Sequence, residues 1–138
     1  MSNTLSKAHL VVGDVIAEGA NKGWIYCASN DAPPFLLAPA DCPDLVIWAD
    51  AAHFAEVQQA TLPSLAQLRA IYELKHNGKL ARHFEAASIN NGRKYWTAER
   101  DDGFFSFAAL MDMDDGSEHY QSLLFRHSVR CVRPYTPA

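Results

Sequence analysis

The sequence predicts an α+β domain: two main helices packed on an antiparallel sheet in which the N-terminal and C-terminal strands pair. Three observations carry this. Runs of β-branched and aromatic residues stand near both ends, helical periodicity occupies the middle, and Gly, Asn and Asp clusters punctuate the joins. The 138 residues suit one domain, 1–138, built around one core.

The first β-like runs are Leu10 to Ile16 and Gly23 to Ala28, joined by a turn at Gly19-Ala20-Asn21-Lys22-Gly23. A proline-rich stretch follows, Asp31 to Pro43. Proline has no amide donor, so this stretch is expected as an edge, a turn or a loop. Its apolar segment Pro33-Pro34-Phe35-Leu36-Leu37 would cover the core or seat a second subunit, and core cover is the favoured reading. From Asp44 to about Gln59 the pattern is helical, with Ile47, Ala51, Phe54 and Ala55 on one face.

Ser64-Leu65-Ala66-Gln67 has the form of a capping box, in which the serine hydroxyl and the glutamine amide satisfy amides of the first helical turn. Leu65, Leu68, Ile71 and Tyr72 make the apolar stripe of that second helix, and Asn77-Gly78 ends it. A short third helix is expected from Lys79 to Ala86. Ile89-Asn90-Asn91-Gly92 is a turn, Arg93 to Thr97 a strand, and Asp101-Asp102-Gly103 another turn. Phe104 to Met113 is a strand with one core face. Asp114-Asp115-Gly116-Ser117 is a hairpin tip, His119 to Phe125 returns, and Ser128 to Arg133 is the last strand.

Composition narrows the function. Hydrophobic residues are 49 % and charged residues 20 %, an ordinary globular balance. A net charge of −4 with scattered basic residues argues against a nucleic-acid partner, since phosphate binding needs clustered Lys and Arg. No apolar run is long enough to span a bilayer, so no membrane partner is expected. The first residues lack a secretory pattern. The expected location is the cytoplasm of the producing cell, with a phage particle or export as alternatives. Cys27, Cys42 and Cys131 are odd in number and widely spaced, which suits buried thiols in a reducing interior rather than a disulfide framework or zinc site.

Several motifs occur in a fixed order: Gly13-Asp14, Trp48-Ala49-Asp50-Ala51, Leu62-Pro63-Ser64 with Leu68, Tyr95-Trp96-Thr97-Ala98, and Val129-Arg130-Cys131-Val132-Arg133. In this order the chain resembles the Lcl C-terminal-like domains, a bacterial family mostly of unknown function with a C-type-lectin-like fold. Where that family carries Gly-Trp-Arg before Leu-Pro, this chain has Gln59-Ala60-Thr61, and Thr97-Ala98 stands in place of Ser-Ser. The resemblance implies a C-type-lectin-like domain and a non-enzymatic binding or adhesion module. It also implies phage or surface association, and a binding face between the Tyr-Trp motif and the final strand. Here that face runs from Glu99 to Arg126.

The expected contact residues are Asn90, Asn91, Trp96, Glu99, Arg100, Asp101, Phe104, Glu118 and His119, directed at a protein or glycan surface. Trp96 and Tyr95 have a second reading as core anchors beneath the loops. Asp112, Asp114, Asp115 and Glu118 put four carboxylates in seven residues, a possible Ca²⁺ set of hard oxygen ligands. The competing reading is a solvated hairpin tip whose Asp-Gly supplies turn chemistry. No other cofactor is expected. Cys131 and His127 are about 13 Å apart if their segment is extended, too far for proton transfer, and no enzyme activity is expected. The alternatives are a phage-derived protein that blocks a host partner, and an enzyme on a lectin-like fold. Oligomeric state is left open.

Overall fold

The computed structural model describes residues 10–30, 32–84, 94–101 and 106–135. Its elements are β1 (Ile25–Ser29), β2 (Ala32–Leu37), α1 (Trp48–Val57), α2 (Leu65–His76), β3 (Lys94–Asp101), β4 (Phe107–Asp112), β5 (Glu118–Ser122) and β6 (Val132–Pro134). They form an α+β arrangement of two three-stranded antiparallel sheets, ordered β1-β2-β6 and β3-β4-β5.

The last strand does join the early strands, through Leu37 opposite Val132. It does not pair with the first β-like run. Residues 10–16 form a turn and a single bridge, Val15 to Ile25. Gly13 explains the turn. It sits at φ +96°, and a Cβ there would lie 2.8 Å from the Lys79 carbonyl oxygen. Only glycine takes that conformation and that approach without strain.

The proline-rich stretch is corrected most sharply. Ala32 to Leu37 is the central strand of its sheet, with Phe35, Leu36 and Leu37 fully buried. The two prolines are tolerated for a positional reason. Ladder pairing with β6 begins only at Phe35, and a bulge on the other side separates Cys27 from Ser29. Pro33 and Pro34 therefore occupy positions where no ladder amide is required.

The α1 helix starts at Trp48, later than Asp44, because Val46 is held extended by paired backbone bonds to His127. The α2 helix has its capping box as expected: Ser64 Oγ accepts from the Gln67 amide at 3.0 Å and Gln67 Oε1 accepts from the Ser64 amide at 2.9 Å. It ends at His76, with Gly78 in the left-handed region. The expected third helix reduces to one 3-10 turn, Ala81–His83, and the His83 carbonyl is taken by Arg130. The turn expected at Ile89 to Gly92 lies outside the described residues.

The β4 strand begins at Phe107 and has no solvent face. Ala108, Ala109, Leu110 and Met111 are all buried, because hydrophobic clusters lie on both sides of it. One cluster gathers α2, Phe35, Leu37, Tyr95 and Met111; the other gathers α1, Leu36, Trp96, Leu110 and Val129. A strand buried on both faces reads as a continuous apolar run, which hides its period of two.

Of the expected strand Ser128 to Arg133, only Val132 and Arg133 enter β6; Ser128 to Cys131 form a seam leading into it. His127 bonds Val46, Ser128 bonds Lys94 and Trp96, and Val129 and Cys131 accept from Cys42 and Ala38. Val132 exchanges bonds with Thr61. Arg130 is its anchor, with 2 % of its surface exposed. Its Nε donates to the Ala38 carbonyl at 2.7 Å, Nη1 to Asp41 Oδ1 at 3.1 Å and Nη2 to the His83 carbonyl at 2.9 Å. The guanidinium carbon lies 4.7 Å from the centre of the Phe84 ring. Asp41 also accepts from the Tyr95 hydroxyl. Burial raises the pKa of the Asp41 carboxyl, while the Tyr95 hydroxyl and the Arg130 guanidinium act in the opposite sense.

Removing one partner of a buried pair strands the other charge. Arg130→Met is therefore expected to cost about 3–5 kcal/mol of stability. Urea unfolding of the two proteins measures it, and a loss below about 1 kcal/mol would show that the knot is dispensable.

Candidate functional site

The expected contact residues separate into two groups once the backbone is in place. Trp96 is fully buried: its indole Nε1 donates to the Val46 carbonyl at 2.9 Å and its ring meets His127 edge-on. It is a core anchor, not a contact residue, and the reason is register. Tyr95 faces one hydrophobic cluster and Trp96 the other, so neither ring reaches solvent.

Glu99 is also structural. Its Oε2 accepts from the Leu65 amide at 2.7 Å, at the start of α2. A carboxylate at that place satisfies an orphan amide and complements the helix dipole. It reaches there because Thr97 shapes a bulge in β3. The Thr97 hydroxyl donates to the Ala109 carbonyl and accepts from the Glu99 amide, across the shift between Trp96 and Arg100.

The carboxylates of the acidic hairpin turn in different directions. Asp112 Oδ1 accepts from the Asp114 amide, and Asp115 Oδ1 accepts from the amide and hydroxyl of Ser117. The Ser117 bonds hold the Asp115 carboxyl below its usual pKa. Glu118 is turned toward α2, where Arg69 Nε and Nη2 grip both its oxygens; these bonds lower its pKa. Among the described residues, no group of three or more His, Cys, Asp or Glu side chains is placed to hold a metal. The Asp112 and Asp115 carboxylates bond within the turn, and that of Glu118 forms an ion pair.

Arg100, Asp101 and His119 are exposed. His119 Nε2 lies 2.9 Å from the Ser117 hydroxyl. Asn90, Asn91 and Phe104 lie outside the described residues.

Residues that sequence reasoning passed over complete the exposed group. Among the described residues, Tyr120, Leu124 and Phe125 are large hydrophobics left 52 %, 76 % and 53 % exposed. Their signal was present: three apolar side chains beside polar neighbours in a short return strand and turn. Trp48 was read only as a helix residue. It is part-buried, its Nε1 donates to the Thr97 carbonyl, and its own amide donates to the Leu123 carbonyl. The Arg100 guanidinium lies 4.9 Å from the Trp48 ring centre. Asp101, Phe107 and Ser122 are side by side at the same end of the sheet. The result is a surface made of Arg100, Trp48 and the Leu123–Phe125 turn.

Behind that surface lie groups with altered titration. His127 Nε2 lies 2.6 Å from Gln121 Oε1, an acceptor to which the ring N–H donates, and burial, aided by the nearby Lys94 charge, lowers its pKa to about 4. The Cys131 thiol is pushed up to about 12 by burial and by neighbouring Cys42. Cys27 is likewise pushed up to about 12, by burial. Thiols so held are protonated at neutral pH and poor nucleophiles.

No protein-family model matches the chain, and a comparison with curated proteins finds no significant relative. No helix among the described residues is long and apolar enough to cross a membrane.

Two outcomes follow. Glu99→Ala removes one acceptor from the α2 N-terminus and is expected to cost about 1 kcal/mol, read from thermal or urea unfolding. His127 has a folded pKa below its unfolded value, so its contribution is complete above about pH 6.5 and is lost as pH falls toward about 4. A His127→Gln variant is expected to lose less stability than the parent across that interval. Parallel curves over the same pH range would rule the histidine out.

Proposed function

We propose that the chain is a non-enzymatic binding module on a C-type-lectin-like frame, presenting a protein- or glycan-binding surface at one end of the β3-β4-β5 sheet. The contacts come from Arg100, Trp48, Leu124 and Phe125, with Asp101 at the rim. The observation that carries this reading is the contrast between surface and support. Exposed Leu124 and Phe125 sit on a short turn and exposed Arg100 lies over Trp48, while Trp48 ties the two segments together by donating to the Thr97 and Leu123 carbonyls. Exposed aromatic, aliphatic and arginine groups in one place are the usual makings of a contact centre.

A support held by buried hydrogen bonds has little left to order when a partner arrives, so less binding free energy is lost to entropy. The resemblance to Lcl C-terminal-like domains supports the same assignment, because its binding region covers Glu99 to Arg126. That family analogy adds the lectin-like frame and the adhesion role.

The test is capture of host proteins and of an immobilised glycan panel by the parent chain and by Arg100→Ala and Phe125→Ala. Binding by each variant is expected to fall about tenfold, with the melting temperature held near that of the parent. If the parent retains ligand and both variants retain it equally, the surface lies elsewhere.

A further inference from the structure

The β5 strand is an open edge. The sheet order places it outermost, and its ladder with β4 is bracketed by Asp112 amide to Ser117 carbonyl and Leu123 amide to Ser106 carbonyl. Antiparallel pairing alternates, so residues 117, 119, 121 and 123 turn their backbone groups toward β4. Glu118, Tyr120 and Ser122 turn theirs outward. The Ser122 carbonyl accepts from the Phe125 amide, which closes that end. Among the described residues no strand covers the amides and carbonyls of Glu118 and Tyr120.

Such edges are ordinarily blunted by lysine, proline, a bulge or an inward charge. This one has no lysine, proline or bulge: its sequence is Glu118-His119-Tyr120-Gln121-Ser122, its ladder register is regular, and its one charge, on Glu118, turns to the α2 side. Its one charged carboxylate is already paired with Arg69. Tyr120 stands half-exposed at the middle.

We infer that β5 pairs antiparallel with β5 of a second copy of this chain, about a twofold axis through Tyr120, giving a continuous six-stranded sheet. The sequence fits that axis. Glu118 then lies opposite Ser122, His119 opposite Gln121, and Tyr120 opposite Tyr120, so no like charges meet. The flanks are complementary too. The strand end carrying exposed Asp114 and Asp115 lies beside the partner's end carrying exposed Arg126, and symmetry repeats the match. Arg100 of that contact surface belongs to β3, at the opposite edge of the same sheet, whereas its Leu123–Phe125 part adjoins the end of β5; Arg100 is therefore the member that reports on ligand contact apart from this pairing.

Cysteine placement tests the register in the intact chain. A residue on the axis meets its own copy, with Cα atoms about 5.5 Å apart, within disulfide reach. In Tyr120→Cys treated with oxidised glutathione, two thiols become one interchain disulfide and the oxidant becomes two reduced glutathiones. A covalent dimer is expected from Tyr120→Cys and not from Glu118→Cys, whose opposite residue is Ser122. In sedimentation equilibrium the parent is expected to show a dimer that Tyr120→Lys shifts to monomer, while Arg100→Ala leaves it intact. A parent that stays monomeric at its highest soluble concentration, or equal crosslinking at 118 and 120, overturns the inference. Loss of ligand capture by Arg100→Ala bears only on the binding surface, so the two readings fail separately.

Discussion

One buried cation holds the architecture together. Arg130 gathers the end of β2, the Asp41 turn, the 3-10 turn at His83 and, through Asp41, the Tyr95 ring of β3. An arginine with its five donors is suited to this, because a planar fork can serve two carbonyls and a carboxylate at once. A guanidinium out of water is costly unless every donor direction is answered and its charge is balanced. The surrounding segments are thereby fixed to within hydrogen-bond tolerance. The two sheets have no shared strand, and the seam around Arg130 is what sets one against the other.

A second cation works at the other end of the seam. Arg133 donates to the Ala20 and Gln58 carbonyls and to Asn21 Oδ1, and its guanidinium carbon lies 3.9 Å from the Trp24 ring centre. Among the described residues its buried Nε has no hydrogen-bond partner. Stacking on the indole and three other bonds offset that loss. The alternation in Arg130-Cys131-Val132-Arg133 thus gives each arginine a separate job: one binds the interior together, the other fastens the 20–24 turn and the end of α1.

Much of the frame was legible in the sequence, and the parts that were not have physical causes. The α2 helix declared itself because capping box, apolar stripe and Asn-Gly stop are all local. The α+β class followed from where the apolar patterns change period. β2 was hidden because proline was weighed as a breaker, whereas its cost depends on which side of the ladder is needed there. β4 was given one core face because a strand buried on both faces loses its alternation. Of the residues expected at a surface, Arg100 and Asp101 are exposed, whereas strand register places Trp96 in the core and the α2 N-terminus takes Glu99. Trp48, Leu124 and Phe125 come together only through backbone bonds between residues far apart in sequence, which no local pattern records.

The seam also has a consequence for when the fold can form. Residues 127–134 supply partners to Val46, Ala38, Cys42, Thr61, Lys94 and Trp96, so the pairings that tie these earlier segments together cannot close until those residues have left the ribosome. A nascent chain emerging from the tunnel can wind α2 by itself, with its ends already satisfied. The rest must wait as a loosely collapsed intermediate, with long loops still to be closed before the distant pairings form. Much of this molecule's folding therefore waits on residues 127–134, and its exposure to chaperones and proteases is concentrated in the interval before they emerge.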